Sequence, residues 1–343
     1  MSDRREDPPP GTSLGSWKGL VPIGVAAATA LVIGAGVDVV RSHQRAAKKE
    51  REAKASSEVA QTPARFVVGV TESGAALVVR EIETGREVGV RVAAPPGRRF
   101  HRVAATRNGA YVVASYAGRD VTFQHLFLDE YGRPSGIGDV PRLKDVPKFS
   151  VPGASTEWSQ LAVNPNGNRI AYVTYKGMRA RVDVVSVPDG ARKVWTTKSP
   201  GRIGSLAWSG ATLSFVWSPV RSVGGRVKET KHEVRTLDTG GAGGDLRVSQ
   251  ALMTLPKGGT AAVFTGKGIV VGIMKDSQLS LQAYTLEGQP GEVLWQQKVK
   301  GDLTDLDPTP RSNGFLATAG DLYAQGAPGA KPVSGEDLAD AAW

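Results

Sequence analysis

The sequence repeats one short pattern of strands and turns along most of its length. From Phe66 onward, short segments rich in Val, Ile, Tyr and Phe alternate with turns that contain Gly, Asn or Asp. Half of the pattern is a strand, a tight polar turn and a second strand, as in LAVNPNGNRIAYVTY. The other half is an alternating strand, a Gly-containing turn and a departing strand, as in RVDVVSVPDGARKVWTT. No segment in this region has the apolar spacing of a core helix, so the pattern predicts an all-β fold.

The Gly-containing turns recur at a nearly regular distance. Successive turns lie 47, 58, 50 and 48 residues apart, at Gly85, Gly132, Gly190, Gly240 and Gly288. A period of about 40 to 50 residues with about four strands per unit is typical of the blades of a β-propeller. The roughly 280 residues of this region predict six or seven blades. The repeats become degenerate after about Gly301, and a pair of β-sandwiches is the alternative architecture.

The amino-terminal region has a different composition. The tail is polar and rich in Pro and Gly, which predicts disorder. Its GTSLG, around Ser13, matches a nucleophile-elbow pattern but lacks the strand and helix that this motif requires. The uncharged stretch Leu20–Val37 is long enough to span most of a bilayer as a helix. Since no A-x-A cleavage site follows it, we interpret the stretch as an uncleaved single-pass anchor, with a cleaved signal peptide as the alternative.

These observations divide the chain into four parts. The predicted parts are a disordered tail (1–18), a transmembrane helix (19–40), a linker or stalk rich in Ala, Lys and Glu (41–64), and a β-propeller (65–343).

Several of the repeats resemble those of known proteins. LAVNPNGNRIAYVTY is similar to the hairpin of TolB-like and WD40-like propeller repeats, with Asn164–Gly167 in the turn. SLAWSGATLSFVWSP, followed by EVRTLDTGGAGGDLRVSQ, resembles blades of actinobacterial membrane-anchored propeller proteins. This resemblance implies a short cytoplasmic segment, one membrane helix and an extracytoplasmic propeller, but no particular activity.

The charges that flank the apolar stretch predict the opposite orientation. Three basic residues precede the stretch, whereas six follow it: Arg41, Arg45, Lys48, Lys49, Arg51 and Lys54. The positive-inside rule therefore places the large region in the cytoplasm. The sequence leaves this conflict open, although we expect an extracytoplasmic propeller at the cell membrane.

Composition excludes several classes of function. The chain has no Cys, which excludes disulfides, thiolate metal sites and a cysteine nucleophile. A net charge of +10 suits an anionic partner, yet the basic residues are scattered and no aromatic-interleaved basic platform favours nucleic acid. The expected partners are the membrane and a protein or cell-envelope ligand, and the sequence does not define an oligomeric state.

Few residues suggest a catalytic, metal-binding or phosphate-binding role. Asp302, Asp305 and Asp307 could form a carboxylate or calcium site, but their spacing is not that of an EF-hand and a solvated loop between blades is the preferred interpretation. The GGAGGD segment lacks the Lys and Ser or Thr of a phosphate-binding loop, so we interpret it as a strand-to-strand excursion. The four histidines show no metal-binding spacing: His101 and His232 are expected at exposed positions, His125 within a strand and His43 in the linker.

Five tryptophans recur at predicted strand positions. They are expected to pack between blades rather than to form a ligand-stacking surface: Trp158, Trp195, Trp208, Trp217 and Trp295. The sequence thus predicts no catalytic, cofactor-binding or metal-binding residue and leaves the binding residues open. The function that fits best is a non-enzymatic interaction module, and the alternative is a propeller hydrolase or lyase with an axial metal or carboxylate site.

Overall fold

The computed structural model describes residues 65–140, 150–224, 226–310, 314–326 and 332–343. None of these residues forms a helix long and apolar enough to cross a membrane. The predicted tail, transmembrane helix and linker, residues 1–64, lie outside the described residues.

Six sheets follow one another along the described chain, and we number them as blades 1 to 6. Blade 1 begins with β1 (Phe66–Thr71), β2 (Ala76–Glu81) and β3 (Val92–Ala93). Blade 2 contains β4 (Arg99–Ala105), β5 (Ala110–Ala117), β6 (Asp120–Leu128), β7 (Pro134–Asp139) and the short β8 (Val151–Pro152). Blade 3 contains β9 (Leu161–Val163), β10 (Arg169–Lys176), β11 (Arg179–Ser186) and β12 (Arg192–Thr196).

The later blades are less regular. Blade 4 contains β13 (Gly201–Ser209), β14 (Thr212–Val223), β15 (Arg226–Glu229), β16 (Glu233–Asp238) and, after an excursion, β18 (Gln250–Thr254). The excursion contains β17 (Gly244–Asp245), which pairs in parallel with β12 of blade 3, and a 3₁₀ turn (Leu246–Val248). Blade 5 contains β19 (Gly259–Phe264), β20 (Ile269–Lys275), β21 (Gln278–Tyr284) and β22 (Pro290–Lys298). Blade 6 contains β23 (Asp305–Pro308), β24 (Phe315–Ala319) and β25 (Asp321–Gln325). The last strand, β26 (Leu338–Ala342), returns to blade 1.

The ring is closed by the two ends of the described chain. β26 pairs with β1, with Val68 opposite Ala342 and Val70 opposite Asp340. β26 therefore occupies the place in blade 1 that β4, β9, β13, β19 and β23 occupy in their own blades. Neighbouring members of this set, which we call the inner strands, contact one another from β26 through β23. This arrangement is a six-bladed β-propeller, which confirms the all-β prediction and selects six blades over seven.

Local sequence explains the hairpins. In the NPNG turn, the Asn164 side-chain carbonyl accepts hydrogen bonds from the backbone N–H groups of Asn168 (2.9 Å) and Arg169 (3.0 Å). Gly167 has φ = 73°, a conformation that L side chains rarely adopt, so glycine is required there. The turn joins β9 to β10, as the sequence predicts.

Apolar side chains fill the space between neighbouring blades. The described residues form six buried clusters, and each is built mainly from two adjacent blades. Trp195 and Trp208 are buried between blades 3 and 4, where Trp158 and Trp217 pack at the margin of the same cluster. Trp295 packs against the cluster between blades 5 and 6. The tryptophans therefore lie at interfaces between blades, as expected.

Arg102 connects three consecutive inner strands. This residue of β4 is 8% exposed. Its Nε and Nη2 donate to the backbone carbonyls of Ser159 and Glu157, just before β9, both at 2.5 Å. Its Nη1 donates to the Ala339 carbonyl and to Oδ1 of Asp340 in β26, both at 3.1 Å. Arg102 thus ties the closing strand to blades 2 and 3.

Replacing Arg102 with Ala should destabilise the propeller strongly. The change removes one of the two donors to the buried Asp340 carboxylate and the donor to the buried Ser159 carbonyl. Breaking a buried ion pair in this way typically costs about 3–5 kcal/mol. Urea unfolding followed by far-UV circular dichroism measures the loss. Arg91→Ala removes an exposed ion pair with Glu87 and should leave the unfolding midpoint close to that of the wild type. Equal midpoints for both variants would contradict the role given to Arg102.

Candidate functional site

A cavity of about 800 Å³ lies at the axis of the propeller. All six inner strands contribute to its wall near their carboxyl ends, for example through Ala105, Val163, Leu206, Val263, Asp307 and Ala342. The volume is that of a typical small-molecule site, and most of the wall is aliphatic or aromatic. The ring of blades therefore encloses a largely apolar space at one end of its axis.

The mouth of the cavity lies at the end where the described chain begins. Val68 of β1 is opposite Ala342 of β26, and β1 starts two residues earlier at Phe66. Ala342 and Trp343 both line the cavity. The chain thus enters the propeller at the cavity end.

The turns that follow the inner strands surround the mouth. Pro165 of the NPNG turn lines the cavity, and its carbonyl accepts a hydrogen bond from the backbone N–H of Arg107 in the next turn (3.0 Å). Arg107 and Lys267 also line the cavity, and both side chains are exposed. The described residues of these turns include no Asp or Glu, so the ionisable side chains that they bring to the mouth are basic. The NPNG turn, which the sequence predicts as a hairpin turn, therefore also lies at the cavity.

Two polar atoms of cavity-lining residues have no hydrogen-bond partner among the described residues. They are Nε1 of Trp343, a residue that is 4% exposed, and Oε1 of Gln325. Buried polar atoms in folded proteins are nearly always paired. One donor and one acceptor of cavity-lining residues are therefore unmatched among the described residues, and both atoms are buried from solvent.

The carboxylates singled out from the sequence do not lie in a solvated loop. Asp305 and Asp307 belong to β23, an inner strand, and only Asp302 is in the exposed segment before it. Alternation along a strand places Asp305 and Asp307 on one face, away from the buried Leu306. The expectation of a loop between blades is therefore wrong for these two residues, because the degenerate last repeat gives β23 only four residues and hides its strand pattern.

The axial carboxyl groups have perturbed acidities. Burial raises the pKa of Asp340 to about 6, although the neighbouring Arg102 opposes the rise. Burial, with repulsion from Asp305 and Asp340, raises the pKa of Asp307 well above its usual range. Asp340 is held by Arg102 and by the Val103 N–H, at 2.7 Å, whereas Asp307 lines the cavity. Among the described residues, no group of three or more His, Asp or Glu side chains could hold a metal ion.

His101 differs from its expected exposed position. It is half-buried in β4, its ring meets that of Tyr116 edge-on at 5.4 Å, and its Nε2 lies 2.8 Å from the Thr156 carbonyl. His232 is also half-buried, with Nδ1 2.7 Å from Oγ of Ser218. His125 lies in β6, as predicted. A basic neighbour in the sequence suggested exposure, but a bulge in β4 turns His101 toward blade 3.

Comparisons with known proteins identify no family. No protein-family model matches the sequence, and no curated protein matches it. Among solved structures, a nidogen/laminin complex is similar over 81% of this chain and 97% of that chain, at 10% identity and a TM-score of 0.48. A protein of unknown function from Bacteroides caccae is similar over 81% and 98%, at 12% identity and a TM-score of 0.43. TolB from Acinetobacter baumannii is similar over 68% and 65%, at 11% identity and a TM-score of 0.32.

With TM-scores below 0.5 these likenesses carry no argument, and both the fold class and the count of six blades rest on the strand pairing. The resemblance to actinobacterial membrane-anchored propellers stays a prediction.

His101→Gln should change how stability depends on pH. Burial, and the nearby charge of Arg102, lower the pKa of His101 from 6.5 to about 4. Between these values the unfolded chain binds more protons, so unfolding free energy falls by about 3 kcal/mol on acidification through this window. Gln keeps a donor for Thr156 but does not titrate. Urea unfolding at several pH values should therefore show that the unfolding free energy of the variant rises relative to that of the wild type as the pH falls from 7 to 4. A difference that stays constant over this range would contradict the lowered pKa of His101.

Proposed function

We propose that this protein is a membrane-anchored, non-enzymatic binding module that takes a small ligand in its axial cavity. The observation that carries the proposal is the largely apolar cavity of about 800 Å³, to which all six inner strands contribute. The unmatched Trp343 and Gln325 atoms behind its wall support the same use, because a ligand with polar groups could pair them after a small adjustment of the wall.

The lining defines the class of ligand. Leu161, Leu206 and Phe315 offer apolar surface inside, while Arg107 and Lys267 stand at the mouth without a carboxylate in the neighbouring described turns. A ligand that fits has an apolar body for the cavity and one anionic group for the mouth. Such a molecule gains both from burial of apolar area and from attraction to the basic side chains at the mouth.

The charged groups of the axis favour binding over catalysis. Four hydrogen bonds hold the Arg102 guanidinium, and Asp340 receives two donors from the protein. Groups fixed in this way stabilise the ring and are not free to act on a substrate. Asp307 is the exception, since it lines the cavity and its pKa is raised.

Asp307 is the reason to keep a second candidate, a propeller hydrolase or lyase. A carboxyl group with a raised pKa beside an apolar cavity is a feature of general acids. Stoichiometric calcium or zinc in the purified full chain, or turnover that Asp307→Asn abolishes, would favour this candidate over a binding module.

Two matched fluorescent probes test the binding proposal. Anilinonaphthalenesulfonate is an apolar molecule with one anionic group, and N-phenylnaphthylamine is its uncharged counterpart. Both should bind the full chain, and Ala105→Phe, which adds a phenyl ring at the cavity wall, should reduce the binding of both. The variant Arg107→Gln/Lys267→Gln should weaken the sulfonate by up to about fivefold per charge and leave the uncharged probe unchanged.

Matched variants control for surface effects. Ala117→Phe places the same bulk at a half-buried position at the far end of β5, and Lys275→Gln removes a charge from the opposite end of blade 5. Neither should alter binding. Undiminished binding of both probes by Ala105→Phe would reject the cavity as the binding site. If Ala105→Phe weakens both probes but Arg107→Gln/Lys267→Gln does not weaken the sulfonate, the cavity stands as the site and only the preference for an anionic ligand is rejected.

The membrane attachment rests on the uncharged stretch Leu20–Val37. We propose an extracytoplasmic propeller, as the family resemblance implies.

Reporter fusions decide the orientation. Alkaline phosphatase after Trp343 should be active, and a fluorescent protein placed before Trp17 should fluoresce. The reverse pattern would show that the six basic residues after the stretch set the topology, and it would place the propeller in the cytoplasm. Release of the protein in soluble, shortened form would instead indicate a cleaved signal peptide.

A further inference from the structure

A two-stranded arm projects from blade 4. β14 pairs with β16 only as far as Trp217, opposite Glu233. Beyond that point β14 continues to Val223 and pairs with β15, from Val220 opposite Glu229 to Val223 opposite Arg226. Ser209 and Gly210, at the other end of the β13–β14 hairpin, line the cavity. The arm therefore stands at the end of the propeller opposite the cavity.

One face of the arm carries three cations. Residues directly opposite in an antiparallel pair share a face, and so do residues two apart on one strand. Arg221 is opposite Lys228 and Val223 is opposite Arg226, so Arg221, Arg226 and Lys228 lie together around Val223. All four side chains are exposed, and none of the three cations forms an ion pair with a described residue. The acidic residue of the arm, Glu229, lies on the other face.

The carboxylate of Glu229 is already paired with neighbouring residues of the propeller. Its carboxylate is 3.0 Å from Nη1 of Arg202 and 3.3 Å from Nδ1 of His232. The cationic face is therefore not neutralised from within the described part of the arm.

The free arm is electrostatically unfavourable. Like charges directly opposite each other, as in Arg221 and Lys228, destabilise a pair of strands. A two-stranded ribbon with no core of its own is marginal in water. An anionic partner on this face would relieve the repulsion and stabilise the arm.

The edge of the arm defines the kind of partner. Among the described strands, β15 pairs only with β14, so its second edge is open. An extended peptide can add to such an edge through backbone hydrogen bonds. Arg226 and Lys228 are two apart on β15, so the residues beside them on an added strand are also two apart.

We propose that the arm binds an acidic protein segment as an additional strand, with carboxylates at alternate positions facing Arg226 and Lys228. A lipid surface or nucleic acid would match the cations but would leave the strand edge unpaired. An acidic extended peptide matches both features.

The proposal is tested with a labelled peptide of alternating Glu and Thr and a matched peptide with Gln in place of Glu. Fluorescence anisotropy with the full chain should show binding of the first peptide, weakened by salt, and much weaker binding of the second. Arg226→Ser/Lys228→Ser should lower the affinity by about tenfold or more. Hydrogen exchange should show new protection of the β15 amides on binding.

The control is Arg179→Ser/Lys275→Ser, which removes the same charge from exposed positions on blades 3 and 5 at the same end of the propeller. It should change the affinity by less than about twofold. Equal losses in both double variants would mean that net charge alone drives binding and would overturn the proposal. Binding of phosphatidylglycerol vesicles or of a DNA duplex, without binding of the acidic peptide, would overturn it in favour of those partners.

Discussion

The ring depends on one buried guanidinium. Arg102 reaches from its own inner strand to the strand before it and to the segment ahead of the strand after it. Burial lowers the pKa of Arg102 and the carboxylates of Asp340 and Asp305 raise it, with a net upward shift, so the group stays charged. Taking this charge out of water is costly, and the four hydrogen bonds offset that cost only when the three strands are in register. Arg102 therefore stabilises the closed ring relative to partly assembled forms.

Closure of the ring by β26 also decides where the cavity and the arm lie. Because β26 completes blade 1, the last described residues and the first ones meet at one end of the axis. The turns after the inner strands gather at that end and frame the cavity. Because β14 runs antiparallel to β13, its carboxyl end, which carries the cationic arm, lies at the end of the propeller opposite the cavity. Two chemically different surfaces thus follow from the strand order alone.

The repeated local pattern was readable in the sequence, whereas contacts between distant repeats were not. The predicted turns at Gly85, Gly132, Gly190 and Gly288 all have positive φ, because tight hairpins need such residues wherever they occur. Arg102 and Asp340 are 238 residues apart, and neither has a local signal of its role. The sequence marks Asp307 through its acidic neighbours but predicts a loop there, since the four residues of β23 are too few to show alternation. The sequence does not predict the cationic face of the arm, because its charges share one face only once the register of β14 and β15 is known.

The two ends of the propeller suit two kinds of recognition. At the cavity end, the proposed function is that a largely apolar wall below the basic side chains of Arg107 and Lys267 selects a small molecule by shape and by one charge. At the arm end, an open strand edge beside Arg226 and Lys228 selects an extended chain by backbone pairing and alternating charge. Blade 4 joins the two, because β13 contributes Leu206 and Ala207 to the cavity wall and pairs with β14, which carries the arm.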